Sequence, residues 1–196
     1  MELYEVTVDY IEYLRKFEPK KILSVADGKD KRKFLGVIIQ KSGFNYVIPL
    51  SSPKYKKDYE IEDYDGEHLP NDFSFGKYED RIHLLKKTTV PVVYMYEETS
   101  KGIDFFGKLQ CNNMIPVPIE EIKKVDIDGM TDLAYKSLLQ KQIVYLRKNK
   151  DVIIKKHANV VYVNRKQGRM DIGYIKFATP DFELLEQKCK EWENNK

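Results

Sequence analysis

Short apolar runs separated by polar turns fill the first 118 residues of the chain, and a helical period replaces them after residue 131. Phe34–Gln40 is a mainly apolar run, and after a polar turn at 41–43 the chain returns as Phe44–Leu50. Two such runs joined by a short glycine-containing turn predict a β-hairpin. Further strands are predicted at Leu3–Val8, Val90–Tyr96, Ile103–Leu109 and Asn112–Pro118. Five or six short strands with bends predict a small, twisted barrel.

Helical spacing is found in two parts of the chain. Near the amino terminus, Asp9 is the predicted N-cap of a short helix with Tyr13, Leu14 and Phe17 on its apolar face. The carboxyl-terminal third predicts three helices. The first runs from a cap at Thr131 to about Arg147, the second begins near Asp151, and the third follows Thr179 as its cap, with Pro180 at the first helical position.

The stretch 55–88 is polar and contains several turn-forming residues, so a long loop is predicted there. Long loops inside compact domains usually have a function. The chain has no internal repeat and no low-complexity linker. The pattern therefore predicts one α+β domain over 1–196, which is β-rich over 1–118 and helical over 131–196.

Composition and charge narrow the class of protein without identifying it. Hydrophobic residues make up 42% of the chain, aromatic residues 12% and charged residues 33%, as in a folded protein with a solvated surface. The formal net charge is only +3, but basic residues cluster within 29–33, 54–57 and 147–169. Such clusters either converge on a nucleic acid backbone or form ordinary lysine-rich turns, and both alternatives stay open.

Cysteine usage and the amino terminus predict a compartment. Cys111 and Cys189 are far apart and have no metal-ligand spacing, so we expect free thiols in a reducing environment. The first residues carry an acid where a signal peptide has basic residues, and no apolar run approaches the roughly 18 residues of a membrane span. We therefore expect a cytoplasmic protein without a membrane partner.

The end of the second hairpin strand is the strongest candidate for chemistry. Val47–Leu50 leads directly into Ser51-Ser52-Pro53-Lys54, with two more lysines close behind. Hydroxyls and main-chain N–H groups at a strand end can hold a phosphodiester, and Lys54 can stabilise charge that develops on it. The plainer interpretation is a proline-containing turn with solvated lysines.

Three segments taken together resemble the toxins of type III toxin-antitoxin systems, the ToxN and AbiQ group. They are Pro49–Lys54, Asn112–Val117 and Tyr135–Gln142, in the family's order and spacing. The resemblance implies an SH3-like antiparallel β-barrel of the MazF and Kid class with added helices. It also implies a metal-independent endoribonuclease without cofactor, which cuts single-stranded RNA, often at adenine-rich sites.

The resemblance further implies the partners. A small RNA whose repeats fold as pseudoknots would inhibit the toxin in a closed toxin–RNA assembly, and the toxin would process the precursor of that RNA. Cellular or phage mRNA would be the substrate, with no protein antitoxin. Such systems act in plasmid maintenance or in abortive infection, which is a defence against phage.

Carried over to this chain, the family's motif assigns the catalytic role to Ser51, Ser52 and Lys54. Arg32 falls near a lysine position of relatives and is a further catalytic candidate, a second cation whose planar fork can hold the phosphate. Gly28 falls near a tyrosine position, which therefore has no clear counterpart. In cleavage of this kind the RNA 2′-hydroxyl attacks, so the protein has to align, move protons and stabilise charge. Residues expected to contact RNA are Lys31, Lys33, Tyr55, Lys56, Lys57, Asn112 and Asn113; for the two asparagines, closing a turn is the alternative.

The histidines and the acidic residues are further candidates for chemistry, and two other classes of function stay open. The three histidines His68, His83 and His157 share no spacing and are interpreted as surface residues. The acidic run Asp58, Glu60, Glu62, Asp63 and Asp65 lacks ligand geometry and is interpreted as solvated. A barrel that binds RNA without cleaving it, and a module in which the 55–88 loop binds a protein, remain alternatives to the nuclease.

Overall fold

The hairpin predicted around the polar turn forms the centre of the fold. The computed structural model describes residues 1–23, 34–54, 58–61, 82–85, 87–100, 102–169 and 177–195. Strand β2 spans Phe34–Lys41 and β3 spans Phe44–Ser51, in antiparallel register from Gly36 opposite Pro49 to Lys41 opposite Phe44. Ser42 and Gly43 turn the chain with positive φ angles of 51° and 84°, as expected of a tight two-residue hairpin turn.

Antiparallel strands extend this hairpin into a seven-stranded sheet. The additional members are β1 Tyr4–Val6, β6 Val92–Thr99, β7 Gly102–Gln110, β8 Ile115–Pro116 and β9 Ile122–Lys124. The order is β6-β7-β3-β2-β1-β9, and β8 pairs with the first half of β3. Within the described ranges the outer strands β6 and β9 do not pair with each other, so a closed barrel is not seen.

One strand prediction and one loop prediction need correction. Asn112–Pro118 is not one strand, because Cys111–Asn113 forms a 3-10 turn and only Ile115–Pro116 joins the sheet. The stretch predicted as loop contains β4 Tyr59–Ile61 paired with β5 Ile82–Leu85 as a separate two-stranded ribbon. Residues 62–81 lie outside the described part of the chain.

Helices form where the periodicity predicted them, but each begins at a different cap. Helix α1 spans Val8–Arg15, so Asp9 lies in its first turn, and Thr7, at the N-cap position, donates its hydroxyl to Glu121. Helix α2, Leu133–Lys148, is capped by Asp132 instead of Thr131. The last helix, α5, spans Phe182–Asn194 and is capped by Asp181. A carboxylate beside the free N–H groups and positive end of a helix explains the two aspartate caps.

The second carboxyl-terminal helix contains an unusual turn. Helix α3, Lys150–Val152, continues through a π-helical segment at Ile153–Ala158 into α4, Asn159–Lys166. Single π turns occur within α-helices and frequently near functional sites. Among the described residues, no helix is both long enough and apolar enough to cross a membrane.

Two apolar clusters hold the helices on the sheet. The larger joins residues of β2, β3, β6 and β7, such as Val37, Ile48 and Met95, to Leu139 and Leu146 of α2 and to apolar side chains of the following helices. The smaller joins α1 and α5 to β1 and β8 through Tyr10, Ile11 and Leu185. The molecule is therefore a mixed α+β structure in which α2 packs against β6 and β7.

Candidate active site

The predicted phosphate site lies where β3 leaves the sheet. Leu50 pairs with Leu109 of β7, and Ser51 pairs with Lys108. Beyond this pair, Ser52, Pro53 and Lys54 leave the strand, because proline has no N–H group with which to continue the ladder. Ser52 and Lys54 are exposed at the surface. The structure thus places Ser51, Ser52 and Lys54 together at one strand end.

A cavity of about 380 Å³ opens beside this strand end. Its polar rim comes from Ser51, Ser52 and Lys54, and its walls combine apolar side chains with amides from β7 and α2. The remaining lining residues are Leu23, Phe34, Leu35, Pro49, Leu50, Pro53, Gln110, Tyr135, Leu139 and Gln142. A cleft with apolar walls and a few convergent polar groups is the usual form of a ligand site.

The side-chain polar groups at the rim have few contacts within the described part of the chain. Among the described residues, neither the Ser52 hydroxyl nor the Lys54 amine has a hydrogen-bond or ion-pair partner. The Ser51 hydroxyl has only a contact of 3.5 Å with the Ser52 carbonyl oxygen, which is at the limit for a hydrogen bond. These groups are therefore available to a ligand that offers phosphate oxygens.

Strand β7 lies close against the main chain of Ser51, and α2 forms a hydrogen bond to β7 next to this contact. Gly107 has a φ of +116°, and a Cβ atom there would lie 2.1 Å from the Ser51 carbonyl oxygen. Gln142 of α2 donates from Nε2 to the Phe106 carbonyl oxygen at 2.6 Å. Neither residue was a predicted site residue, although a glycine within an apolar strand is a known signal of close backbone approach.

Asp58 corrects the interpretation of the acidic run as solvated. Its side chain has no solvent exposure, and its carboxylate contacts Lys108 Nζ at 2.6 Å. Burial, together with the negative charge of Asp58, raises the pKa of Tyr94 to about 12. A buried carboxylate requires such partners, because desolvation of an unpaired charge is very unfavourable. Its partner lies 50 residues away in sequence, so local sequence offered no signal.

The two asparagines predicted to contact RNA are largely buried. Asn112 is 6% exposed and Asn113 is 9% exposed. The Asn113 side chain donates to the main-chain oxygens of Lys21 at 3.1 Å and Ala178 at 3.2 Å. These contacts of Asn113 join separate parts of the backbone, and Cys111–Asn113 forms a 3-10 turn, which favours the turn alternative; a contact with RNA stays a prediction.

Three cations of the third basic cluster have partners within the fold. Arg147 bonds Glu2 at 2.9 Å, and Lys166 bonds Glu186 at 2.7 Å. Arg165 donates to the Pro180 carbonyl oxygen. These three cations therefore take part in contacts within the fold. His157 Nδ1 lies 3.1 Å from the Thr89 and Val90 carbonyl oxygens, away from the Ser51–Lys54 strand end.

Several predicted site residues lie outside the described part of the chain. They are Arg32, Lys31, Lys33, Tyr55, Lys56 and Lys57, and the same is true of Gly28 and His68. Cys111 and Cys189 are free, as predicted, and both are buried. Burial raises the pKa of the Cys111 thiol to about 12 and that of Cys189 to about 11, so neither is a reactive thiolate near neutral pH.

Comparison with known proteins decides the family. The model of the toxin ToxN of type III toxin-antitoxin systems matches residues 2–190. This chain belongs to the ToxN family. It is 32% identical over 189 residues to endoribonuclease AbiQ of Lactococcus lactis subsp. lactis, covering 96% of this chain and 87% of AbiQ.

Solved structures agree with that membership. The ToxN-family chain superposes on AbiQ, described as a lactococcal anti-phage endoribonuclease of a type III system, with a TM-score of 0.66 and 28% identity over 98% of both chains. A second type III toxin, from work on selective toxin inhibition by a non-coding RNA pseudoknot, gives a TM-score of 0.64 and 26% identity over 98% of this chain and 97% of that one. The resemblance inferred from three segments is confirmed.

Proposed function

We propose that this ToxN-family protein is an endoribonuclease toxin that cleaves single-stranded RNA without a metal ion. One observation carries the proposal. Ser51, Ser52 and Lys54 present unused polar groups together at the rim of a cavity, in a family whose similar members are named endoribonucleases.

The arrangement suits cleavage in which the RNA supplies its own nucleophile. The 2′-hydroxyl attacks the adjacent phosphorus and the 5′-oxygen leaves, which gives a 2′,3′-cyclic phosphate and a 5′-hydroxyl. Lys54 would stabilise charge on the non-bridging oxygens of the phosphate. Ser52 would orient the phosphate or relay a proton, with Ser51 beside it, because an ordinary serine is a poor base.

Further residues and partners belong to the same proposal. Arg32 would be a second cation whose planar fork holds the phosphate, and the flanking residues Lys31, Lys33, Tyr55, Lys56 and Lys57 would contact RNA. The inhibitor would be a pseudoknot RNA that the toxin also processes, in a closed assembly, as inhibition of a solved relative by an RNA pseudoknot suggests. Cellular or phage mRNA would be the substrate, in phage defence or plasmid maintenance.

The finer fold assignment is also a proposal. The short antiparallel strands and the irregular register between Met95 and Tyr96 support a relation to the SH3-like barrels of the MazF and Kid class. We propose that the strands and helices form a single domain over 1–196. Limited proteolysis that yields one resistant fragment of nearly full length would support this; two stable fragments would contradict it.

Cleavage mapping tests the proposed activity. RNA-free protein is incubated in EDTA with an adenine-rich RNA, and the ends of the products are mapped. We expect 2′,3′-cyclic phosphate ends from the wild type and their loss in folded Ser52→Ala and Lys54→Ala proteins. Ser100→Ala and Lys123→Ala, at exposed positions, are matched controls for the loss of a hydroxyl and of a cation.

The other classes of function give different results in the same assay. RNA binding without cleavage would indicate a non-catalytic RNA-binding protein. Neither binding nor cleavage would indicate a protein-interaction module. Cleavage that requires added divalent metal would contradict the metal-free mechanism.

A further inference from the structure

Asp58 bonds both main-chain groups of Lys54 from a fully buried position. Its Oδ2 atom accepts a hydrogen bond from the Lys54 N–H at 2.8 Å. The Asp58 N–H donates in turn to the Lys54 carbonyl oxygen at 3.0 Å. The side chain of Asp58 has no solvent exposure. The main chain at Lys54 is therefore fixed by a residue that lies beneath the surface.

Lys108 connects this residue to the strand that also pairs with Ser51. Asp58 Oδ1 lies 2.6 Å from Lys108 Nζ, and Lys108 sits opposite Ser51 in the β3–β7 register. The Lys108 ammonium also lies 5.6 Å from the centre of the Tyr94 ring. Ser51 is thus held to β7 by the strand ladder, and Lys54 is held to the same strand through Asp58. We call Lys54, Asp58 and Lys108 the Asp58 clasp.

The charges of the clasp suit a site for an anion. A lone carboxylate this close to a phosphate would repel it, but Lys108 neutralises Asp58 within the interior. The Lys54 amine, in contrast, has no partner among the described residues. The clasp therefore leaves one unpaired positive charge at the rim.

We propose that Asp58, together with Lys108, is a positioning residue for RNA cleavage. The clasp fixes the main chain from Ser51 to Lys54 so that the Ser52 hydroxyl and the Lys54 amine meet the same phosphate. Asp58 neither touches the RNA nor exchanges a proton. This inference rests on the proposed function, because it assigns a role within that reaction.

Two double variants separate positioning from a purely structural role. Asp58→Leu with Lys108→Met replaces the buried ion pair by apolar residues of similar volume, a change that folded proteins often tolerate. Asp58→Asn with Lys108→Met also lacks the ion pair but keeps an oxygen that can accept from the Lys54 N–H. The two proteins differ only at position 58, where leucine and asparagine have similar shapes. Asp104→Ala, which removes an exposed ion pair with Lys141, is the control.

Cleavage kinetics give the first measurement. We expect the leucine variant to lose about 100-fold in kcat with a much smaller change in KM, because misplaced catalytic groups cost rate more than binding. The asparagine variant should keep most of the wild-type kcat, and Asp104→Ala all of it. Wild-type kcat in the leucine variant would overturn the proposal, as would an equal loss of kcat in both double variants.

Hydrogen–deuterium exchange of the Lys54 amide gives a second measurement that does not depend on cleavage. We expect a protected amide in the wild type and the asparagine variant, and faster exchange in the leucine variant. An unprotected Lys54 amide in the wild type would overturn the clasp itself. If the amide is protected but the wild type does not cleave RNA, the clasp exists and the proposed function fails, together with the role assigned here.

Discussion

The interior around Glu186 and the surface edge at Ser51–Lys54 both contain polar side chains, but only the interior uses them to hold the fold together. Glu186 Oε1 accepts from the hydroxyls of Tyr46 at 2.8 Å and Tyr162 at 2.7 Å, and Oε2 accepts from Lys166. Burial and the Glu186 charge raise the pKa of Tyr46 well above its usual range. At the edge, the Ser52 hydroxyl and the Lys54 amine have no such partners among the described residues.

This difference predicts which substitutions should change the stability of the molecule and which should change RNA cleavage. A buried polar group that loses its partner keeps the full cost of desolvation. An exposed polar group without a protein partner forms its hydrogen bonds with water in both the folded and the unfolded chain. Its removal should therefore leave the free energy of unfolding nearly unchanged. Substitutions in the two regions should therefore have opposite effects on unfolding and on cleavage.

Glu186→Ala should have the largest effect on folding. It leaves the Tyr46 hydroxyl without its acceptor and removes one partner each of Tyr162 and Lys166, and we expect a loss of about 3–5 kcal/mol in the free energy of unfolding. Urea denaturation measures this value. Glu186→Gln keeps an acceptor oxygen for the tyrosines and should lose less. Unchanged stability with loss of cleavage would contradict the comparison.

Lys54→Ala should slow RNA cleavage and leave the free energy of unfolding nearly unchanged. We expect kcat for RNA cleavage to fall about 10²–10³-fold, since one charge-stabilising donor is lost. The free energy of unfolding should change by less than about 0.5 kcal/mol, as for other surface positions. Single-turnover cleavage and urea denaturation on the same protein test both parts. Lys123→Ala should change neither quantity.

Gly107→Ala should affect both quantities, because Gly107 lies directly behind Ser51. Its positive φ and the contact with the Ser51 carbonyl oxygen predict a loss of about 1–3 kcal/mol in the free energy of unfolding, together with slower cleavage. Gly102→Ala is the matched control, since Gly102 has a φ of +108° but open space around its Cβ position. If both variants cleave RNA at the same rate, the contact behind Ser51 does not support the site.

Alkaline pH should weaken the fold through its buried thiols. Burial raises the pKa of Cys111 from 9.0 to about 12, so above pH 9 the unfolded chain loses a proton that the folded chain keeps. The unfolded state then binds fewer protons, and the free energy of unfolding falls as pH rises. We expect this group to contribute a loss of about 1 kcal/mol between pH 8 and pH 10. Urea denaturation of wild type and Cys111→Ala should show a flatter pH dependence in the variant.

Local pattern was enough to predict the centre of the fold. The apolar runs on either side of 41–43 predicted β2 and β3 nearly to the residue. The helical period likewise predicted α2 and α5, although their caps at Asp132 and Asp181 lay one and two residues beyond the predicted threonines. Neighbouring residues can both serve as a cap, and only the final backbone geometry decides between them.

Contacts between distant residues could not be predicted in this way. Asp58 appeared to be one of several solvated acids, because nothing near it in sequence indicates its pairing with Lys108. Asn113 follows a strand end, as binding residues often do. Its side chain is nevertheless buried and donates hydrogen bonds to the main-chain oxygens of Lys21 and Ala178. Strand β9, Ile122–Lys124, is too short to show a period and forms only because β1 lies beside it.

The close approach of β7 to the Ser51 main chain has a consequence for the order in which the site forms during protein synthesis. A ribosome makes residues 51–54 early, but the β7 backbone at Gly107 and the helix carrying Gln142 emerge much later. A nascent chain therefore contains Ser51, Ser52 and Lys54 before the strand and the helix that lie beside them have been made. A product terminated before α2 would have the same Ser51–Lys54 segment without the contact from Gln142 to β7, so we expect such a fragment not to cleave RNA.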